Sequence, residues 1–200
     1  MKELNSVCVY CGSAEGTNPR FADAADELGR AIADAGLTLV YGGGSLGLMG
    51  RTARAALDAG GEVVGVIPQF LHDREVMLRE VSDLIVTEDM HERKRIMFER
   101  SDGFVALPGG IGTLEELVEM MTWSQLGRHD KPIVLANIEG FWDPLNELIV
   151  HMTQSGFIRA GWDVSYDVVT HIDAVIPTMI SRHNALANER VPQERTLQRL

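Results

Sequence analysis

Short, continuous apolar segments alternate along the chain with segments that have the periodicity of amphipathic helices. Unbroken apolar strands are typical of a parallel sheet that helices cover on both faces. The order of elements therefore predicts an α/β protein with a single doubly wound, Rossmann-like parallel sheet. The predicted strands occupy residues 4–10, 37–41, 62–68, 83–89, 103–107 and 131–137, and the segment 131–137 is predicted to be the last.

The helices between these strands carry recognisable start and stop signals. The first has Asn18 as its cap, Pro19 at its first position and Gly36 as its stop. We predict one domain over residues 1–183, followed by a polar, mobile tail over 184–200. The other predicted helices lie over 51–60, 90–100, 108–126, 141–157 and 172–184.

The chain is acidic, with 29 Asp and Glu residues against 18 Lys and Arg and a formal net charge of −11. This charge repels a polyphosphate backbone, so we expect no nucleic acid polymer as a partner, whereas a small anion can still bind in a locally positive pocket. No apolar run is long enough to span a bilayer, and the N-terminal segment lacks a signal-peptide layout. We therefore expect no membrane association and a cytoplasmic location.

The sequence indicates no metal site. Cys8 and Cys11 form a C-x-x-C at the end of the first strand, but two further zinc ligands are absent from the sequence. The six histidines fall in no ligand spacing. We expect both cysteines to be reduced, mostly buried thiols.

Two glycine-rich loops follow strands at the edge where ligands of open parallel sheets bind. Gly42 to Gly47 match G-x-G-x-x-G, but the next strand ends in Pro68 and Gln69, where an NAD-binding protein would have an acidic residue. Alone, this loop is equally consistent with a tight corner between strand and helix. The loop 108–113 repeats the pattern, and two such helix starts together favour a phosphate ligand.

Charged residues follow the glycine-rich loop 108–113 and also occur in the predicted helix 90–100. Thr113 and Glu116 match a capping box, so Glu116 is either a helix cap or a functional group. The predicted core stripe of this helix, Leu114, Leu117, Val118 and Met121, leaves Glu115 and Glu116 beside the buried edge.

In the helix after Asp89, Arg93 and Lys94 straddle the apolar stripe marked by Met90 and Met97. Their side chains either extend to water or clamp an anion or an acidic neighbour such as Glu116.

The segments "GGGSLGLMG" (42–50), "MHERK" (90–94) and above all "PGGIGTLEE" (108–116) resemble signatures of the Lonely Guy (LOG) family, the cytokinin riboside 5′-monophosphate phosphoribohydrolases. The likeness extends from about Val7 to the strand at 131–137. It implies hydrolysis of the N-glycosidic bond of an adenine-type nucleoside monophosphate to free base and ribose 5-phosphate, without a cofactor. Members of the family form homodimers or larger assemblies, so we expect a homodimer.

The resemblance also implies the residues of the site. Arg93 and Glu116 match the family's catalytic pair, and Lys94 matches a substrate-binding residue. The chain has Ala14 after Ser13, where the family often has a second serine, so any role of that serine is lost. The remaining predicted substrate-binding residues are Ser13, Gly43, Gly44, Glu75, Gly110, Ile111, Gly112, Thr113, Leu114, Glu115 and Thr122.

Three other functions compete with this one. A nucleotide or cofactor carrier of the same fold would bind without cleaving, and would not need the pair Arg93 and Glu116. An NAD-linked oxidoreductase is disfavoured by the missing acidic residue. The name lysine decarboxylase, which the family has also carried, requires a pyridoxal-bearing lysine, and none of the three lysines, Lys2, Lys94 and Lys131, has a suitable context.

Overall fold

The computed structural model describes residues 4–72, 77–159 and 161–197. Seven parallel strands form one sheet in the order β4-β3-β2-β1-β5-β6-β7. The strands are β1 Ser6–Tyr10, β2 Thr38–Tyr41, β3 Val63–Pro68, β4 Asp83–Thr87, β5 Gly103–Ala106, β6 Ile133–Ala136 and β7 Asp167–Val169. The predicted fold class is confirmed.

Helices cover both faces of this sheet. The helices are α1 Pro19–Asp34, α2 Gly47–Asp58, α3 Gln69–His72, α4 Met90–Glu99, α5 Ile111–Gln125, α6 Asp143–Gln154 and α7 Val175–Leu197. Short 3-10 turns at Ile138–Gly140 and Ile172–Ala174 precede α6 and α7. Within the described ranges, no helix combines the length and the apolar character needed to cross a bilayer.

Strands β1, β2, β3, β5 and β6 each contribute to two separate cores, because successive side chains point to opposite faces of the sheet. Val7 and Val9 of β1 pack with α1, α2 and α7, whereas Cys8 and Tyr10 pack with α4, α5 and α6. The strand order reverses between β1 and β5, whose following helices lie on opposite faces. The loops after these strands therefore diverge and form the crevice where ligands of this fold class bind.

The structure corrects three details of the predicted elements. The segment 131–137 is not the last strand, because β7 follows it at the sheet edge. Helix α3 was not predicted, and α2 begins at Gly47, four residues before the predicted start. Helix α7 continues to Leu197 and so includes most of the segment 184–200; that this segment is a mobile tail stays a prediction.

Candidate active site

Helix α4 begins at the edge of the sheet where β3 and β4 end, and its cap fixes its direction. The Asp89 side chain accepts a hydrogen bond from the Glu92 amide at 2.8 Å, and the Glu92 carboxylate accepts one from the Glu88 amide at 2.9 Å. The helix buries Arg93 and Met97. An arginine thus occupies a core-facing position.

Arg93 forms a buried ion pair with Glu116 of α5. Its Nη1 donates to Glu116 Oε1 at 2.6 Å, and its Nε donates to the Val66 carbonyl of β3 at 3.1 Å. The side chains are only 9% and 11% exposed. Of the two alternatives for Arg93, extension to water is therefore excluded and the clamp on Glu116 is observed.

Gly42, at the end of β2, makes room for this arginine. A Cβ atom at position 42 would lie 2.3 Å from Arg93 Nη2, a distance at which something must move. The first glycine of the G-x-G-x-x-G motif therefore serves the close approach of Arg93.

Burial dominates the electrostatics of Glu116. Loss of solvent raises the pKa of its carboxyl above the ordinary value, and the charge and hydrogen bond of Arg93 oppose this rise. Cys8 and Tyr10 of β1 lie close enough to respond to the charge of Glu116. Burial raises the pKa of the Cys8 thiol to about 12 and that of Tyr10 well above its usual range, so both stay uncharged at neutral pH.

Lys94 bridges α4 and α5 beside this pair. Its Nζ donates to Glu115 Oε1 at 2.6 Å and to Glu119 Oε1 at 3.1 Å. Burial lowers the pKa of the Lys94 ammonium, but the two glutamates outweigh it, so the pKa is raised overall. Lys94 is therefore held in its charged form.

The N-terminus of α5 is open. Gly110 is its N-cap, and the first amide with a helical partner is that of Leu114, which donates to the Gly110 carbonyl at 3.0 Å. Among the described residues, the amides of Ile111, Gly112 and Thr113 make no hydrogen bond. Unpaired amides at a helix N-terminus, together with the helix dipole, favour an anion.

The capping-box alternative for Glu116 is wrong. The N-cap of α5 is Gly110 rather than Thr113, so Thr113 already lies inside the helix. The predicted core stripe is also partly wrong, because Val118 is exposed whereas Glu116 and Met120 are buried. Since α5 starts earlier than a capping box would place it, its buried face includes the glutamate.

The start of α2, in contrast, is already occupied. The amides of Leu48 and Met49 both donate to the Gly12 carbonyl, at 3.0 and 3.3 Å. Gly47 has a φ of 58° and lies against the Ser13 backbone, where a Cβ would meet the Ser13 carbonyl carbon at 2.3 Å. The first glycine loop therefore packs against the loop after β1.

A cavity of about 260 Å³ lies between the loops that follow β1 and β5. It brings together Ser13 and Gly110 from the predicted set. Arg93, Lys94 and Glu116 do not line this cavity. Gly12 and Gly109, from the loops after β1 and β5, pack closely against each other beside it. The predicted site therefore has two parts at one edge of the sheet.

The other predicted residues lie around these parts or outside them. Gly43 has a φ of 80° and packs on Ile67, and Gly44 forms a bridge with Met77. Thr122, on the exposed side of α5, donates to the Val118 carbonyl at 2.7 Å. Glu75 lies outside the described residues.

Sequence reasoning missed Glu119, the second partner of Lys94. The signal was available, because Glu115 and Glu119 are four residues apart and so lie on the same side of a helix. Cys8 and Cys11 are free and buried, as predicted. In the described part of the chain, no three His, Cys, Asp or Glu side chains are grouped as metal ligands.

Comparisons with known proteins show the fold and the family of the chain. The family model described as "Possible lysine decarboxylase" matches residues 49–188. A solved molybdenum cofactor binding protein from Rippkaea orientalis is 24% identical with a TM-score of 0.68, over 90% of this chain and 98% of that one. This likeness shows the fold alone.

Two curated relatives come from Oryza sativa subsp. japonica. A probable cytokinin riboside 5′-monophosphate phosphoribohydrolase, LOGL1, is 51% identical over 77% of this chain and 69% of its own length. The cytokinin riboside 5′-monophosphate phosphoribohydrolase LOG is 51% identical over 76% of this chain and 63% of its own length. The chain therefore belongs to the Lonely Guy (LOG) family, the family that its glycine loops and its "PGGIGTLEE" motif resemble.

Proposed function

We propose that this protein hydrolyses the N-glycosidic bond of adenine-type, cytokinin riboside 5′-monophosphates and releases the free base and ribose 5-phosphate. The oxygen of a water molecule bonds to C1′ of the ribose as the bond from C1′ to the base nitrogen breaks, and one water proton ends on the base. The names of the two rice relatives state this activity for those proteins. The reaction needs no cofactor.

The buried pair of Arg93 and Glu116 is the observation that carries the proposal. Breaking a ribosyl bond builds positive, oxocarbenium-like charge on the sugar. A carboxylate beside the ribose stabilises this charge and can orient or deprotonate the attacking water. In the proposed mechanism, Glu116 is that carboxylate.

For Arg93 we propose a role in holding Glu116 rather than in assisting the departing base. Its Nη1 is bonded to Glu116 and its Nε to the Val66 carbonyl, so two of its donor groups are engaged inside the protein. This arrangement favours the ionised, oriented form of the carboxylate, because a guanidinium bonded to a carboxylate stabilises its charged form.

The 5′-phosphate is proposed to bind at the start of α5. The open amides of Ile111, Gly112 and Thr113 support this, and Gly110 and Ser13 line the adjoining cavity. Lys94 is proposed to bind substrate beside them. The proposed contributions of Gly43, Gly44, Glu75, Leu114, Glu115 and Thr122 rest on the family motifs.

Incubation with AMP and with N6-isopentenyladenosine monophosphate, without added cofactor, tests the activity. Chromatography of the products should show free base and ribose 5-phosphate from at least one substrate. If neither nucleotide releases its base, the proposed function is wrong.

The variant Glu116→Gln separates the enzyme from a carrier of the same fold. The amide preserves the shape and can still accept a hydrogen bond from Arg93, but it lacks the charge that stabilises the transition state. We expect turnover to fall by roughly 100-fold or more, with nucleotide binding retained in calorimetry. A carrier would bind equally well in both forms and would release no base in either.

We also propose a homodimer in the cytoplasm. Helix α6 buries no residue and exposes Leu148, Val150 and Met152. On the same face of the sheet, α5 exposes Val118, and Leu126 directly after its end is also exposed. Apolar side chains grouped on one face are typical of an interface between subunits. The free cysteines fit a reducing compartment, which fractionation of cells that express the protein would test.

A further inference from the structure

Two adjacent cations of α4 face three glutamates of α5. Arg93 contacts Glu116, whereas Lys94 contacts Glu115 and Glu119. The cluster therefore carries one more negative than positive charge. Which glutamate holds Lys94 matters, because a lysine free to move could reach the neighbouring carboxylate of Glu116.

The two partners of Lys94 differ in their exposure to solvent. The Glu115 side chain is 52% exposed, while those of Glu119 and Lys94 are 24% and 13% exposed. Water and salt screen an ion pair more strongly when one partner is exposed. The contact of Lys94 with Glu119 is longer than its contact with Glu115 but less exposed to water and salt. Glu119 is therefore the partner that anchors the lysine.

The second carboxylate oxygen of Glu119 strengthens this conclusion. Oε2 is buried and accepts no hydrogen bond from the described residues. A buried carboxylate oxygen without a donor is costly and calls for an explanation. Among the described contacts, Lys94 is what compensates the Glu119 charge.

We infer that Glu119 is a positioning residue: it holds the Lys94 ammonium between α4 and α5 and so leaves Arg93 as the single cation bonded to Glu116. The inference rests on the proposed function. Glu119 lies one helical turn after Glu116 on the same helix, which places the two carboxylates on neighbouring positions of one face. Glu119 acts through Lys94 and does not itself contact the reacting atoms.

The test is a double-mutant cycle on the nucleotide that the wild-type protein cleaves. Glu119→Gln loses the charge that holds Lys94, so we expect KM to rise by about fivefold to tenfold. In the Lys94→Met background the same substitution should change KM by less than about twofold. The matched control for the change in net charge is Glu99→Gln, because Glu99 is an exposed glutamate at the end of α4.

The pH profile provides a readout that a merely structural role would not move. Glu119→Gln frees Lys94 to approach Glu116, and the charge of Lys94 favours the carboxylate form of Glu116. The acid limb of kcat/KM should therefore move to lower pH in Glu119→Gln and stay in place in Glu99→Gln. Charged and titratable groups that face Glu116 are Arg93 and Lys94 of α4, Glu115 of α5, Cys8 and Tyr10 of β1, and Cys11 directly after β1.

Failure of the inference and failure of the proposed function are distinguishable. If the wild-type protein cleaves a nucleotide but Glu119→Gln leaves KM and the acid limb unchanged, the inference alone is overturned. An equal rise of KM in both backgrounds also overturns it, because Glu119 would then not act through Lys94. If the wild-type protein releases no base, the proposed function is wrong, and the role inferred for Glu119 is wrong as well.

Discussion

At the scale of single residues, the site depends on an arginine and a glutamate taken out of water together. Removing one partner of such a pair leaves a buried charge uncompensated, which is far more costly than losing an exposed ion pair. The contact from Arg93 Nε to the Val66 carbonyl adds a second constraint. The protein's own contacts therefore position the pair without any contact from a substrate.

The first prediction concerns pH. Burial raises the pKa of Glu116, and the proposed reaction needs its carboxylate, so activity is lost as pH falls through this raised pKa. The acid limb of kcat/KM should lie above the ordinary glutamate value of about 4.3. A pH–rate profile measures the position of the acid limb. The control variant is Glu147→Gln, because Glu147 is exposed on α6 and its removal should leave the acid limb in place. An acid limb at the ordinary value would contradict the role of burial.

The second prediction concerns Gly42. A methyl group at this position would meet Arg93 Nη2, so Gly42→Ala should displace the guanidinium from Glu116. We expect kcat/KM to fall by at least about tenfold and the free energy of unfolding to fall by roughly 1–3 kcal/mol.

Urea denaturation and steady-state kinetics measure both quantities. For stability, the matched control is Gly112→Ala, because no atom lies within 4 Å of a Cβ at position 112. A Gly42→Ala protein as active as the wild type would show that Arg93 does not depend on this space.

At the scale of elements, helix α5 has two distinct tasks. Its first turn offers open amides to an anion, and its second turn presents Glu116 to the interior. A nucleoside monophosphate has its phosphate and its anomeric carbon at opposite ends of one ribose. A single helix can therefore address both ends.

The third prediction tests the first turn of α5. Ile111 is 81% exposed, so Ile111→Glu should fold normally. Its carboxylate would be stabilised by the helix N-terminus but would repel a 5′-phosphate. We expect KM for the nucleotide to rise by roughly tenfold relative to the neutral variant Ile111→Gln. Equal KM values for the two variants would place the phosphate elsewhere.

Periodicity and turn chemistry predicted most elements, because buried parallel strands and capped helices leave local signals. Strand β7 was not predicted, because it has only three residues, Asp167–Val169, and lies at an edge of the sheet. The alternatives for Glu116 could not be separated from sequence, since the capping box is local and its competitor, Arg93, comes from another helix. The separation of the pair from the cavity beside Ser13 depends on how two loops pack, which no local pattern encodes.

At the scale of the whole molecule, one face of the sheet carries both the proposed catalytic pair and the exposed apolar residues of α5 and α6. The opposite face buries α1 and α2 against α7 and the sheet. A subunit interface on α5 and α6 would therefore lie near the candidate site.

The fourth prediction concerns assembly. Leu148→Glu places a charge on the exposed face of α6, so it should shift a dimer towards monomer in light scattering at micromolar concentration. Ile180→Glu is the matched control, because this exposed residue belongs to α7 on the other side of the sheet. A monomeric wild-type protein, or a dimer that tolerates Leu148→Glu, would contradict this interface.

The contact between the Gly12 carbonyl and the first turn of α2 has a consequence for substrate length. The Leu48 and Met49 amides are already satisfied by the protein's own backbone, so the start of α2 offers little to a second phosphoryl group. A di- or triphosphate tail that extends beyond the α5 amides would meet the start of α2, whose amides are already hydrogen-bonded. The net negative charge of the protein would also repel the additional phosphoryl groups. We therefore expect the protein to discriminate in favour of monophosphates, through a backbone contact that no side chain provides.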